Sequence, residues 1–507
     1  MALDLPAASP FARATGERRP AEWILGGLIA LAILVRLVPV LFFPSIIWGD
    51  EIFQSTEQAH RLVYGTGLVP WEFELGIRSW ILPGLVAGLM EIARLVGDGP
   101  DYYLPVIAVA FATLAVIPVV CVFRWCERLA GLPGAVIGGL FVALAPELVY
   151  FGARTLAEAV AGHLLIGAIY LLEPTTEAAS RRRFVAAGAL LGLILVLRLQ
   201  LAPALALIAL WTALGEPRVR LWPMIAGAAI ILGLSGLLDA LTLGYPFASL
   251  WRNLDYNLFY GVSALFGTAP WNYYLTYELA LWQGALLPLA ALAVIGALRR
   301  PLLLAAALLI IASHSFIPHK EIRFIYPAGV LITALAAIGL AQLAAWGRAR
   351  YPSLIERKAC IVLCASYGCF LAYLGWTGSM MTMLRDLKHD NLVAANHVAR
   401  MKGICGVGLY GLDGNDWVNS GGYTYFHQPV PIYWPANPRE FAATNKGFDV
   451  LVTTKPPPAD LARDFAPDQC FGTVCVARRS GGCAAVPMMR MPVPRPLQDI
   501  AAAEAAR

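Results

Sequence analysis

The chain has 507 residues, of which 59% are hydrophobic and 14% charged, with a net charge of +5 and a mean hydropathy of +0.65. Soluble domains carry about 25% charged residues, so this composition excludes a nucleic-acid-binding protein, a disordered scaffold and a singly anchored enzyme. It points to a polytopic α-helical membrane protein, and the scattered arginine clusters between apolar runs record a bilayer rather than an affinity for polyanions.

Residues 1–22 are polar, carry Arg13, Arg18 and Arg19, and read as a cytoplasmic N-terminus. The apolar run 23–43 is about 20 residues, enough to span. Pro44, Ile46 and Trp48 follow it where a signal peptide has small residues, so it reads as an uncleaved first helix. Further helices are expected at about 103–123, 132–150, 156–172, 184–197, 201–214, 221–243, 280–298, 302–316, 325–346 and 361–376, about 11 spans in all. Alternate connections then hold Arg124 and Arg128, Arg181 to Arg183, Arg218 and Arg220, Arg299 and Arg300, and Arg348, Arg350, Arg357 and Lys358, all on one side. The stretch 80–96 is read as a helix lying at the exoplasmic interface, because a crossing there places Arg124 and Arg128 outside. The runs flanking Arg198 are short for spans, yet both outer ends are basic, which requires an even number of crossings.

The membrane domain is thus expected over 23–377, with its first exoplasmic loop at about 44–102. Residues 378–485 read as a small exoplasmic α/β domain. Helical spacing of Leu387, Leu392, Ala395, Val398 and Met401 is followed by β-type runs at 407–410, 424–426, 450–453 and 474–477. The tail 486–507, rich in Pro, Arg and Ala, is expected to be disordered. Cys121, Cys126, Cys360, Cys364 and Cys369 lie in or beside predicted helices as small hydrophobes. Cys405, Cys470, Cys475 and Cys483 fall in the proposed exoplasmic domain, where disulfides form; three pairings are open, and no His accompanies them at zinc-ligand spacing.

The longest exoplasmic connection, 45–79, holds Asp50, Glu51, Glu57, Glu72 and Glu74 with His60, Arg61, Arg78, Trp48 and Trp71. A carboxylate just past a membrane helix is placed to act as a general base, since partial desolvation raises its basicity while substrate still reaches it. The alternative is a solvated acidic loop. A second cluster, 314–327, places His319, Lys320 and Arg323 at the start of a predicted helix, where backbone N–H groups and side-chain charge together suit a phosphate. The alternative there is an interfacial turn whose cations snorkel, with Glu321 as partner. Arg154 and Glu158 are spaced to pair along one helix, and Arg198 interrupts an apolar run, which makes it a functional candidate. The connection 245–277 is dense in aromatics such as Tyr256, Tyr260, Trp271, Tyr273 and Tyr274, either an interfacial belt or a stacking surface for sugar and lipid. The chain has no P-loop and no G-x-S-x-G elbow, so neither an ATP motor nor an α/β-hydrolase is supported.

The run Asp50-Glu51-Ile52-Phe53-Gln54-Ser55-Thr56-Glu57-Gln58-Ala59-His60, with Pro70-Trp71-Glu72-Phe73 and Ile77-Arg78-Ser79-Trp80, resembles the first luminal loop of glycosyltransferase family 22. These are polyprenyl-phosphate-mannose-dependent mannosyltransferases, with bacterial relatives. The resemblance continues at Ala153-Arg154-Thr155-Leu156 and at His319-Lys320-Glu321-Ile322-Arg323-Phe324-Ile325-Tyr326-Pro327, and covers about 42–345. It implies the GT-C architecture and inverting transfer of an α-mannosyl or other hexosyl group from a lipid phosphate to a glycan or glycolipid, without metal or cofactor. By this resemblance Asp50 is the base and Glu51 shapes the pocket beside it. His319, Lys320, Arg323 and Arg154 hold the departing lipid phosphate, while Gln54, Glu57, Trp71, Glu72 and Arg78 contact sugar or order the loop. Trp48-Gly49 stands where eukaryotic members have His-Pro, and Ile322 where many carry a second acid; both bear on donor and acceptor identity.

Partners implied are the lipid-linked donor, the acceptor and membrane lipids. Arginine-rich, alanine-rich usage favours a bacterial inner membrane with a periplasmic active site, the endoplasmic reticulum being the eukaryotic equivalent. A transporter or flippase of lipid-linked saccharides is the competing class, but such proteins place polar residues near the bilayer midplane or in broken helices, whereas here most lie beyond helix ends. A non-catalytic subunit is a third reading, and it leaves both charged clusters without purpose.

Overall fold

In lipid every backbone polar group must be satisfied within the segment, so an apolar chain of this kind folds as helices. The computed structural model describes residues 15–173, 181–214, 217–351, 353–412, 415–457, 464–491 and 493–505; the first 14 residues of the expected cytoplasmic segment lie outside them. Among the described residues six helices are long and apolar enough to cross a membrane: Arg19–Leu41, Pro100–Leu144, Leu221–Leu243, Tyr273–Ala297, Ile322–Arg350 and Lys358–Trp376. The pair Pro146–Gly152 and Ala157–Leu172, bent by 117°, is a seventh if taken as one broken span. The runs expected at 184–197, 201–214 and 302–316 are helices Arg181–Leu197, Ala202–Ala213 and Pro301–Phe316, of 17, 12 and 16 residues. They are shorter than the roughly 20 residues of a typical full span, while Pro100–Leu144, at 45 residues, is long enough for two. The division expected before 132 falls at Gly131, whose non-helical backbone, φ 69°, separates two helices within Ile117–Leu144.

The chain divides into two compact units. The first takes residues up to Pro39 and Val109–Met383. Its centre is the helix Tyr326–Arg350, buried along nearly all its length and packed on Leu286–Ala297, Ile117–Leu144 and Pro301–Phe316. Reciprocal glycines permit the closest of these contacts. A Cβ on Gly296 would stand 2.0 Å from the Leu335 carbonyl and one on Gly339 2.0 Å from that of Leu292, so the two backbones touch as small residues allow in membranes. Arg36 of the first helix is fully buried and donates to the carbonyls of Ala32 at 3.0 Å, Ala143 at 3.1 Å and Val142 at 3.3 Å. Pro146, four residues after Val142, has no N–H to offer that carbonyl, and the guanidinium supplies the donor.

The second unit joins Val40–Ala108 to the described residues from Leu384 onward, so the first long connection packs with the C-terminal α/β segment. Five strands, β1 (Val407–Tyr410), β2 (Ile432–Tyr433), β3 (Val450–Thr453), β4 (Phe465–Phe471) and β5 (Val474–Arg479), form a sheet of order β2-β1-β3-β5-β4. β1 is parallel to β2 and β3, while β5 is antiparallel to β3 and β4. Ile46, Ile52, Phe53 and Leu68 of the connection share a core with Leu392, Val407, Leu409, Val450 and Val476. The run 424–426, expected as a strand, is instead the helix Gly422–Phe426, because Gly421 and Gly422 both take positive φ and turn the chain. The helix expected over 384–401 is two, Ser379–Asp386 and His389–Ala399, broken at Lys388 with φ 61°. The tail carries a helix, Arg495–Ala505, where disorder is expected. The stretch 80–96 holds the 14-residue helix Ile81–Arg94, with Leu85 and Ile92 on it exposed. Cys405 pairs with Cys483 and Cys470 with Cys475, one of the three pairings the sequence leaves open.

Candidate active site

In the second unit, Asp50 and Glu51 open the helix that follows the first membrane helix, and both are half-buried. The N–H groups of Ile52 and Phe53 both donate to the Gly49 carbonyl, at 3.0 and 2.8 Å, which fixes the acidic pair at the helix start. The next turn, Ile52–Thr56, is π-helical, a local widening that recurs at functional sites, and the Ser55 hydroxyl donates to the Glu51 carbonyl within it. Glu72 lies on the short helix Trp71–Glu74, buried, and accepts from Gln54 Nε2 at 2.8 Å. Burial first, and the charge of Asp50 second, push the Glu72 carboxyl up to about 7 against the opposing pull of Arg78. Asp50, Gln54, Glu72 and Arg78 therefore form one electrostatic group. Trp71, half-buried, opens the helix that carries Glu72.

Glu57, seven residues on from Asp50, belongs to a different structure. Its carboxylate is fully buried and accepts the N–H of Leu68 at 2.8 Å and of Tyr423 at 3.0 Å on one oxygen. The other oxygen accepts the N–H and hydroxyl of Thr424, both at 2.8 Å. Gly422, at φ 60°, is required there, since a Cβ would stand 2.7 Å from the same carboxylate. These bonds tie the segment that carries Glu57 to Leu68 and to the turn at Tyr423 and Thr424. Beside it His60 Nδ1 donates to the Thr66 carbonyl at 2.7 Å, so Nε2 accepts from His427 Nδ1 at 3.0 Å. Burial lowers His60 to about 4 and keeps the ring neutral. The sequence reading does not find this clasp, because its halves lie more than 360 residues apart.

In the first unit the expected phosphate-binding cations are tied into a chain of alternating charge. Arg198 Nη1 lies 3.1 Å and Arg323 Nε 3.4 Å from Glu158 Oε1, and Arg323 Nε donates to Glu321 Oε2 at 2.6 Å. His319 Nε2 is 3.0 Å from Glu321 Oε1 and its Nδ1 2.8 Å from the Gly267 carbonyl, so both ring nitrogens face acceptors. The hydrogen bond to Glu321 is the main reason His319 is raised toward its imidazolium form. Burial raises Glu321, but Arg323 and His319 outweigh it and bring the carboxyl to about 2. Both guanidiniums lie over the Phe324 ring, at 5.1 and 5.3 Å. The two guanidiniums balance the two carboxylates, and a proton on His319 adds one positive charge, which suits an anion.

Arg154, 3% exposed, sits at the break between Pro146–Gly152 and Ala157–Leu172, its guanidinium 4.1 Å over Tyr150. Lys320 is held differently from the other cations: its ammonium donates to the carbonyls of Ala269 at 2.9 Å and Ile317 at 2.6 Å, leaving one of three donors for a ligand. Glu158 and Glu321 are the residues the sequence reading undervalues. Glu321 was visible within the motif as a partner; the pairing of Glu158 with Arg198 and Arg323 depends on the helix packing.

The profile of the Alg9-like mannosyltransferase family matches residues 28–427. GPI mannosyltransferase 3 of Yarrowia lipolytica is 29% identical over 335 residues, which cover 64% of this chain and 64% of that protein. GPI alpha-1,2-mannosyltransferase 3 of Danio rerio is 27% identical over 341 residues, 65% of this chain and 62% of that protein. The chain thus spans less than two thirds of the length of these relatives. The crystal structure of ArnT from Cupriavidus metallidurans bound to undecaprenyl phosphate superposes with a TM-score of 0.62 at 16% identity, covering 90% of this chain and 98% of that one, a likeness of fold. Since the family match runs through both charged clusters and ends at His427 in the clasp, the chain belongs to the Alg9-like mannosyltransferase family.

Proposed function

We propose that this protein is an integral-membrane inverting glycosyltransferase that moves a mannosyl group from a polyprenyl-phosphate sugar to a glycan or glycolipid acceptor on the exoplasmic face, the periplasmic face of a bacterial inner membrane. Asp50 takes the proton from the acceptor hydroxyl as its oxygen bonds to the anomeric carbon. The bond from that carbon to the phosphate oxygen breaks with inversion, and its electron pair leaves on the lipid phosphate. His319, Arg323 and Arg154, with the remaining donor of Lys320, stabilise that charge, where cations act most strongly as the bond breaks. Glu51, Gln54, Glu72, Trp71 and Arg78 shape the sugar pocket. The observation that carries the reading is the half-buried Asp50–Glu51 pair at a helix start, grouped with Gln54, Glu72 and Arg78 within the family match. The relatives' names support mannose as the sugar, and the fold neighbour's undecaprenyl phosphate supports a polyprenyl-phosphate ligand.

Membranes containing wild-type or Asp50→Asn protein, given labelled polyprenyl-phosphate-mannose and extracted host glycolipids, test it. The expected result is labelled product from wild type and a loss of at least about 100-fold in the variant. A fully active variant removes Asp50 as the base. The bent pair 146–172 is the feature that favours a flippase, and movement of labelled lipid saccharide by purified protein without sugar transfer selects that reading instead.

A further inference from the structure

Two helices of the first unit carry charged clusters at both of their ends. Ala157–Leu172 runs from Glu158 to Glu173, and Pro301–Phe316 runs from Arg300 to the turn that holds His319 and Glu321. Each has 16 residues, so its ends lie about 24 Å apart. At the Glu158 end Arg198 and Arg323 meet two carboxylates, Glu158 and Glu321. At the Glu173 end Arg128 and Arg300 lie 3.5 and 3.0 Å from opposite oxygens of Glu173, the one carboxylate that pairs with them among the described residues. Trp125 Nε1 donates to Glu173 Oε2 as well, at 2.7 Å. The nearby acids Glu22 and Glu127 pair with Arg124, at 2.6 and 3.2 Å.

These guanidiniums are held in place and still reachable. Arg128 lies 5.1 Å over the Tyr170 ring and donates to its hydroxyl at 2.6 Å, and Arg300 lies 5.6 Å over Trp125. Arg183 donates to the Tyr170 carbonyl at 3.2 Å and brings a third guanidinium to the same helix end. The side chains of Arg128 and Arg300 are 35% and 23% exposed, against 7% and 4% for Arg198 and Arg323. Two guanidiniums on one carboxylate leave a positive charge, and their planar donors suit a phosphate. The arginine distribution assigns this end to the cytoplasmic edge of the bilayer, where basic pockets between helices meet anionic headgroups. Val294 and Leu298, one turn apart just before Arg299, are exposed and offer acyl chains an apolar surface. We propose that Arg128 and Arg300, with Arg183 beside them, bind the phosphate of an anionic phospholipid in the leaflet opposite the proposed transfer reaction. A polyprenyl phosphate carries the same group, but its place in that reaction is at the other end of these helices.

The test uses purified full-length protein in detergent, delipidated and titrated with phosphatidylglycerol or phosphatidylcholine while bound lipid is counted by native mass spectrometry. Wild type is expected to take one phosphatidylglycerol about tenfold more tightly than phosphatidylcholine, and to melt at a higher temperature with it. Arg300→Gln and, should that variant not fold, the more exposed Arg128→Gln are expected to lose both the preference and the shift. Arg124→Gln, whose side chain serves Glu22 and Glu127, is expected to keep them. Equal affinity of wild type for the two lipids overturns the site, as does a preference that persists in Arg128→Gln and Arg300→Gln. Displacement of phosphatidylglycerol by undecaprenyl phosphate at equal concentration overturns the phospholipid as its occupant. None of these readouts uses sugar transfer, so the site is judged apart from the reaction proposed above.

Discussion

Thr424 donates both its backbone N–H and its hydroxyl to the same oxygen of Glu57, each at 2.8 Å, across 367 residues of chain. With Leu68 and Tyr423 on the other oxygen, four donors surround one buried carboxylate. Glu57→Gln turns an amide N–H₂ toward some of those donors and is expected to cost about 2–4 kcal/mol, while Thr424→Ala removes a hydroxyl only and costs about 1 kcal/mol. Melting of both variants in detergent checks the order, and equal shifts contradict it.

Glu72 supplies a pH signature. Its carboxyl is raised to about 7 in the fold, so between the ordinary carboxyl range and pH 7 the folded chain keeps a proton that the unfolded chain releases. That contribution is present at low pH and is lost as pH rises through 7. The melting temperature of wild type is therefore expected to fall more steeply between pH 5 and 8 than that of Glu72→Gln, which still offers Gln54 an acceptor. Parallel curves for the two proteins place the titration elsewhere.

Arg198 and Arg323 share Glu158, and all three are buried. Glu158→Gln leaves two guanidiniums short of charge and is expected to cost about 3–5 kcal/mol, read as a drop in melting temperature and in monodisperse yield. Arg323→Lys cannot face Glu158 and Glu321 with one planar group, and it is expected to lose most transfer activity at a smaller cost in stability.

The two disulfides close loops of very different length, with partners 78 and 5 residues apart. Loop entropy gives the longer closure the larger effect, about 4 kcal/mol in the chain-entropy model. Cys405→Ser with Cys483→Ser is accordingly expected to lower the melting temperature more than Cys470→Ser with Cys475→Ser. The reverse order refutes the entropic account.

The sequence by itself determined the membrane class, the positions of the long apolar helices and the residue types of both charged clusters. Those are local properties: an apolar run near 20 residues, a basic flank or an acidic helix start is read within a short window. The runs 184–197, 201–214 and 302–316 are helices of 17, 12 and 16 residues, so their apolar composition is legible in sequence while their helical length is set by the breaks around them. The sequence reads 424–426 as a strand, since Thr, Tyr and Phe favour β structure, while the consecutive positive-φ glycines before them and the Glu57 carboxylate hold a helical turn. Only the tertiary structure decided which cation meets which carboxylate, which cysteines pair, and that the connection after the first helix shares its core with the C-terminal sheet. Each of these is a contact between residues far apart in the chain, and a residue's own sequence neighbourhood carries no record of what packing brings against it.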